Sequence, residues 1–355
     1  MEIHLIIKMN KKYRTAIIGL GQIGFTIESD KTRNRIWAHS EAYSKHAHTS
    51  LIAGADISEE LCSNFKKVYP QAEVYQSYKD MLINEEIDIL SICVHEDICI
   101  DILDYVLSNH VSIKAIFCEK PISKNSESIK KIVEKSEEKE VSICVNYFRR
   151  WEEPYNICKD LITSKKFGNL KTIIGLGTTA LRTSSSHILD VLISFNPEIE
   201  TIYSIKQEDY VRRVNNKEDP GYSVLMSCAN DSNIFLKSTS KNPENFSFEI
   251  ILLFDDAKVL WRDGVNSIDI YEHSIEEEYI GKGYSPISIR PKKIDFSQTE
   301  TMLEAISEMV SCLEGSINLS SNIYNAYEVV KTMELIDLSA SKRNLIHIRK
   351  NINEK

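Results

Sequence analysis

An apolar run, Ala16-Ile17-Ile18, passes directly into Gly19-Leu20-Gly21-Gln22-Ile23-Gly24, and this stretch constrains the chain more than any other. The G-x-G-x-x-G spacing suits a strand that turns sharply into a helix with a pyrophosphate against the turn. Gly19 permits the tight turn. Gly21 lets the backbone approach phosphates that a Cβ would strike. Gly24 lets the helix lie close to the strand. The helix N-terminus then offers unpaired N–H groups to the anion. Alone, the spacing also fits a glycine-rich turn in an unrelated strand–helix unit, so the elements that follow carry the decision.

Those elements alternate. Tyr13–Gly19 and Ser50–Asp56 read as strands, with a helix over Ser58–Val68 capped by Ser58. Glu73–Tyr75 is a short strand and Tyr78–Ile83 a short helix. Asp88–Val94 is a continuous apolar strand, as expected when both faces are covered. Helices over Asp97–Ser108 and Ser126–Lys139 alternate with strands over Ser112–Cys118 and Val141–Asn146. Repeated strand–helix units predict a doubly wound parallel sheet over residues 11–147. From residue 148 to 355 the pattern changes. Helices Pro154–Ser164 and His187–Phe195 accompany strands at Leu170–Gly177, Glu200–Ile205, Tyr222–Cys228, Asn233–Ser238, Phe246–Phe254, Ala257–Trp261 and Ser267–Tyr271. This reads as an antiparallel meander in an α+β domain. Ser297-Gln298-Thr299-Glu300 has the capping-box pattern before a helix over Thr301–Leu313. A last helix, Asn322–Ser341, carries Ile323, Ala326, Tyr327, Val330, Leu335 and Leu338 on its apolar positions. Asp209–Asp219 and the tail after Lys342 are expected to be mobile.

Composition narrows the function classes. The net charge is −9, and lysines and arginines are dispersed, which argues against a nucleic-acid surface. No apolar run approaches the roughly 20 residues needed to cross a bilayer. The start, Met1–Lys8, is too short for a signal peptide, which leads to a cytoplasmic expectation. The eight cysteines, Cys62, Cys93, Cys99, Cys118, Cys144, Cys158, Cys228 and Cys312, form no C-x-x-C pair. They read as reduced core thiols, with no metal site expected.

Three places could do chemistry. Asp56 ends the second strand, where a carboxylate accepts hydrogen bonds from adenosine-ribose hydroxyls and repels a 2′-phosphate. No arginine follows in Ile57-Ser58-Glu59-Glu60, so NAD is favoured over NADP. Its other reading is a helix cap. Asp56 lies 32 residues beyond Gly24, where about 20 is usual. An insertion around residues 29–40 accounts for the excess; either Trp37 and His39 line the site, or the segment is a surface loop tacked down by Trp37. Glu119-Lys120-Pro121 follows a buried strand, at the edge where ligands bind; Lys120 there can orient a hydroxyl or move a proton, or simply be a solvated turn lysine. Pro121 biases Lys120 towards an extended conformation. His187 follows Ser184-Ser185-Ser186 at a helix start, where the dipole disfavours imidazolium and leaves a ring able to accept a proton. Asp190, one turn on, orients it or faces another helix.

With these residues assembled, the chain resembles the Gfo/Idh/MocA family of glucose–fructose oxidoreductase and inositol dehydrogenase. The glycine turn matches the family's nucleotide turn, Asp88–Val94 its fourth strand, and Cys118-Glu119-Lys120-Pro121 its E-K-P signature. Asn146-Tyr147-Phe148-Arg149-Arg150-Trp151 looks like its interdomain junction, and Ser186-His187-Ile188-Leu189-Asp190 like its S-H-x-x-D. The resemblance implies a Rossmann domain plus a domain with a large, mostly antiparallel open sheet, commonly assembled as homodimers or homotetramers. It implies NAD(P)-dependent alcohol–ketone interconversion on a sugar or cyclitol, with Lys120 and His187 as the catalytic pair. Gly19, Gly21, Gln22, Ile23, Gly24, Asp56, Val94, His95, Glu119 and Lys120 would face the cofactor. Lys120, Asn146, Tyr147, Arg149, Arg150, Thr183, His187 and Asp190 would face the substrate. Thr183 stands where many members carry Asp, and Val94-His95-Glu96 where many carry Thr-Pro. The short segment from Gly168 to His187 is similar to a subgroup of surface-sugar and nucleotide-sugar biosynthesis. Alternatives are a non-catalytic NAD-binding regulatory protein and a reductase of a non-sugar substrate.

Overall fold

The computed structural model describes residues 12–109, 112–208, 212–214, 217–239, 247–263, 266–273 and 290–348. The chain divides into two units. One holds the residues up to Trp151 together with Thr299–Glu328; the other holds Glu152–Gln298 and the chain from Val329 onward. In chain order the first elements are β1 (Tyr13–Ile18), α1 (His39–Lys45), β2 (Thr49–Ala55), α2 (Glu59–Val68), β3 (Glu73–Tyr75), α3 (Tyr78–Asn84), β4 (Ile89–Ile92), α4 (Glu96–Asn109), β5 (Ala115–Cys118), α5 (Ser126–Glu138) and β6 (Ser142–Val145). Then come α6 (Glu153–Thr163), β7 (Leu170–Gly177), α7 (Ser185–Phe195), β8 (Ile199–Lys206), β9 (Arg212–Val214), β10 (Lys217–Asp219), β11 (Tyr222–Cys228), β12 (Asn233–Ser238), β13 (Phe248–Phe254), β14 (Ala257–Arg262), β15 (Ser267–Glu272) and β16 (Lys292–Asp295). The chain continues through α8 (Thr301–Leu313), α9 (Ile323–Lys342) and β17 (Ile346–His347).

The first sheet has the order β3-β2-β1-β4-β5-β6, with every pair parallel. β4 and β5 are buried at all their positions, because apolar residues on both faces meet covering elements. The core gathers Ile17, Leu20, Tyr43, Phe65 and Phe117 with Met302, Ile306 and Met309 from α8. Ser58 caps α2 as expected, accepting the Leu61 N–H at 3.3 Å. The capping box before α8 does not form. Glu300 takes the N-cap position without a side-chain cap bond, and its carboxylate accepts the Ile36 N–H instead, at 2.9 Å.

The second sheet runs β16-β15-β14-β13-β7-β12-β11-β8-β17. It is antiparallel except that β7 and β12 pair in parallel, so it is not a simple meander. Gly175 and Gly177 on β7 leave room for Ile188 and Leu192 of α7, which packs directly on the strand. The opposite face leaves Tyr203, Ile205, Leu225 and Phe235 exposed. Two segments expected to be mobile carry structure: β9 and β10 pair antiparallel, and β17 pairs with β8. Residues 209–211, 215, 216 and 349–355 lie outside the described residues, as do Met1–Lys8. The buried apolar positions of α9 are Ile323, Ala326, Val329, Val330, Met333 and Ile336, while Leu338 is exposed.

Candidate functional site

The nucleotide turn has the geometry its glycines imply. Gly19 adopts φ +93°, and a Cβ there would overlap the Cys93 carbonyl. A Cβ on Gly24 would overlap the Gly19 carbonyl oxygen. Nothing lies within 4 Å of the Cβ position of Gly21, so that glycine is not required by the protein's own packing. The open space over it is what a bound pyrophosphate needs. Asp56 is tied into the same turn: Oδ2 accepts the Leu20 N–H at 2.8 Å and Oδ1 the Ser58 N–H at 2.9 Å. The N-cap of α2 is Ser58, so Asp56 is not the helix cap.

The insertion is spliced into the first helical turn. After Gly24 the chain enters a short 3₁₀ segment, Thr26–Ser29, and departs. It returns when His39 N–H bonds Ile23 C=O at 3.0 Å and Ser40 N–H bonds Gly24 C=O at 3.1 Å. A continuous helix bonds four residues back; here the reach is sixteen (39 to 23, 40 to 24). The ladder thus resumes as if twelve residues were absent, which matches the late arrival of Asp56. Glu28 Oε1 holds the excursion by accepting the Trp37 and Ala38 N–H groups at 2.6 and 2.7 Å. Trp37 packs edge-on against Phe148 at 5.7 Å, under the Arg35 guanidinium at 4.2 Å. His39 is completely buried, so it does not line a surface site.

At the carboxyl end of β5 the Glu119 N–H bonds Ile92 C=O, and the Lys120–Pro121 peptide is cis. Glu119 Oε1 accepts from Asn146 Nδ2 at 2.6 Å and faces His39 Nε2 at 3.1 Å. Val94 and His95 stand at the end of β4, with His95 Nδ1 3.2 Å from Asp97. Donor atoms of His95, Glu96 and Asp97 lie within 4.8 Å of one another, and Lys124 already supplies a cation to both carboxylates. Burial pushes the Cys93, Cys118 and Cys144 thiols upward, and all eight cysteines are free. Tyr147 is fully buried, Arg150 Nη1 donates to Ser320 C=O at 3.0 Å, and Arg149 lies over Phe148 at 4.8 Å.

In the second unit His187 is the third residue of α7, 8% exposed, and Asp190 is fully buried. The serine run does not cap this helix through a side chain. Ser184 makes no cap bond, while Ser185 and Ser186 hydroxyls turn back to the Thr179 and Thr183 carbonyls at 2.6 and 2.9 Å. The turn before α7 is held by a residue that sequence reasoning assigned to a mobile stretch. Asp219 accepts the Arg182 N–H on Oδ1 at 2.9 Å and the Thr183 N–H on Oδ2 at 3.1 Å. Burial raises the Asp219 carboxyl above its ordinary value, against the pull of these bonds. No local signal marks Asp219, since its partners lie more than thirty residues earlier.

The 3-2-1-4-5-6 parallel order with a glycine turn after the first strand defines a Rossmann-type dinucleotide-binding fold. Residues 13–147 match the model of the Gfo/Idh/MocA oxidoreductase family, with its NAD-binding Rossmann fold. Inositol 2-dehydrogenase of Corynebacterium glutamicum is 27% identical over 173 residues, 47% of this chain and 46% of that protein. Trans-1,2-dihydrobenzene-1,2-diol dehydrogenase of Xenopus laevis is 23% identical over 123 residues, 35% of this chain and 36% of that protein. The matched region thus spans less than half the length of these curated relatives. Among solved structures, the WlbA dehydrogenase of Bordetella pertussis, in complex with NADH and UDP-GlcNAcA, superposes with a TM-score of 0.77 at 17% identity, covering 97% of this chain and 99% of that one. An NAD-binding oxidoreductase of Klebsiella pneumoniae gives 0.78 at 12% identity, covering 96% and 100%. At these identities the structures speak to the fold. Among the described residues no helix is long and apolar enough to cross a membrane.

Proposed function

We propose that this chain is an NAD-dependent dehydrogenase or reductase that interconverts a secondary alcohol and a ketone on a sugar, carried as a nucleotide- or phosphate-activated derivative. Residues 11–147 carry the cofactor and residues 148–355 the substrate side. The observation that carries this reading is the Asp56 carboxylate bonded into a glycine turn whose Gly21 keeps open space above it. NAD, when bound, supplies the hydride acceptor. Gly19, Gly21, Gln22, Ile23 and Gly24 hold its phosphates, Asp56 its adenosine ribose, and Val94, His95 and Glu119 its nicotinamide end. His187 accepts the hydroxyl proton while Lys120 donates a hydrogen bond to the same oxygen, which positions the alcohol and stabilises the developing charge. Asp190 orients His187. Asn146, Arg149, Arg150 and Thr183 contact the sugar, while Tyr147, fully buried, supports them without touching it. The exposed apolar strip of Tyr203, Ile205, Leu225 and Phe235 supports assembly with further copies of the chain, as a homodimer or homotetramer.

A second reading, a non-catalytic NAD-binding regulatory protein, draws on Thr183, whose hydroxyl donates to Ala180 C=O and offers no carboxylate. Titration with NADH and NADPH, followed by assay against myo-inositol, free hexoses, sugar phosphates and nucleotide-sugars, separates them. The enzyme reading expects NADH to bind more tightly than NADPH and at least one activated sugar to turn over. Binding without turnover across the panel favours the regulatory reading. No binding of either nucleotide contradicts both.

A further inference from the structure

Glu119 stands at the end of a buried hydrogen-bonded chain that fixes which of its oxygens is available. Tyr43 is completely buried, and its hydroxyl meets Ser91 Oγ at 2.8 Å as its one hydrogen-bond partner among the described residues. A buried O–H needs an acceptor, so Tyr43 donates to Ser91. Burial also holds the Tyr43 phenol well above its usual range, which keeps the proton there. Ser91 then spends its own proton on His39 Nδ1, 2.8 Å away. Because Nδ1 accepts, the ring proton sits on Nε2 and points at Glu119 Oε1, 3.1 Å away. Asn146 Nδ2 donates to the same oxygen. Both protein bonds therefore fall on Oε1, and Oε2 accepts none from the described residues. The Glu119 side chain keeps 14% of its surface exposed, at the carboxyl edge of the parallel sheet.

The position of His39 is itself determined by the glycine turn. Its N–H closes the helical ladder on Ile23, and its ring lies against Phe117 at 4.5 Å. One imidazole, with an acceptor on one side and a donor on the other, bridges β4 through Ser91 and the end of β5 through Glu119.

We infer that His39 is a positioning residue for the cofactor: with Asn146 it clamps Glu119 Oε1, so that Oε2 faces the crevice and accepts a hydrogen bond from the nicotinamide end of the dinucleotide. His39 acts only through Glu119, since it has no exposed surface. The inference rests on the nicotinamide-cofactor reading above. NADH fluorescence titration of the full chain tests it. Asparagine at this position reaches only Ser91, whereas glutamine can place an amide N–H where Nε2 stands. His39→Asn is expected to weaken NADH binding about tenfold, and His39→Gln to stay within about threefold of wild type, the scale of one hydrogen bond to a charged group. In ¹⁵N spectra of imidazole-labelled wild type, His39 shows a protonated Nε2 and an unprotonated Nδ1. Wild-type affinity in His39→Asn, or a proton on Nδ1, overturns the inference and leaves the cofactor reading standing. A wild-type chain that binds no NADH overturns both. If His39→Asn does not fold, Ser91→Ala keeps the ring and its bond to Glu119. Because the Glu119 carboxylate only accepts, Nε2 is expected to stay protonated and NADH affinity to stay within about twofold of wild type; a proton moved to Nδ1 with NADH affinity unchanged overturns the inference.

Discussion

The two sheets of this chain solve opposite problems. β4 and β5 in the first are buried on both faces, whereas β11 and β13 in the second alternate between buried and less buried positions. In open α/β sheets ligands bind at the carboxyl edge, and in the first sheet that edge carries the glycine turn, Asp56 and Glu119. The second covers one face with α7 and leaves apolar side chains on the other. The difference separates residues whose loss unfolds the chain from residues whose loss changes only what it binds.

Substitutions sharpen that contrast. Gly24→Ala falls hardest, because its Cβ meets a backbone carbonyl that cannot yield; the expected loss exceeds about 3 kcal/mol, read as a collapsed Tm and poor expression. Leu90→Ala in β4 follows, at about 2–5 kcal/mol in denaturant unfolding, since the side chain is fully buried. Leu225→Ala, on the open face of the second sheet, is expected to change single-copy stability by no more than about 0.5 kcal/mol, and to shift solution mass towards smaller species. Equal losses at Leu90 and Leu225 would erase the distinction between the sheets.

Asp219→Asn sits in the middle of the scale. Below the raised value the protonated carboxyl and an amide each offer one strong acceptor to the two backbone N–H groups, so the expected cost there is within about 1 kcal/mol. The pH dependence has a definite sign. The folded carboxyl is raised above its unfolded value, so its proton-linked contribution is full below about pH 4 and is lost as pH rises through the raised value. The wild-type advantage over Asp219→Asn should therefore shrink from about pH 4 upward. An advantage that grows with pH contradicts the burial account. Gly21→Ala has the smallest structural effect: Tm within about 2 °C of wild type, but weakened NADH binding, because only the ligand needs that space.

The legible part of the fold was the part written in local pattern. Continuous apolar runs marked the parallel strands, Ser58 marked the start of α2, and the glycine spacing marked the turn. The excess before Asp56 announced an insertion, yet nothing local could say that the helix ladder resumes at His39, because that depends on Ile23 and Gly24 across the excursion. The sequence pattern at Ser297 and Glu300 suggested a capping box, and a distant N–H at Ile36 took the carboxylate instead. Alternation in β7 and β12 could not reveal that they pair in parallel. Asp219 was hidden for the same reason, since its role lies in two backbone groups far back in the chain.

The central proposal is that Lys120 and His187 perform the proton chemistry of an NAD-linked hydride transfer. Lys120→Ala and His187→Ala, each assayed for NADH binding and for turnover of the substrate found in the panel, test it most directly. The account predicts near wild-type NADH affinity with turnover lost in both variants. Turnover retained in both would contradict it.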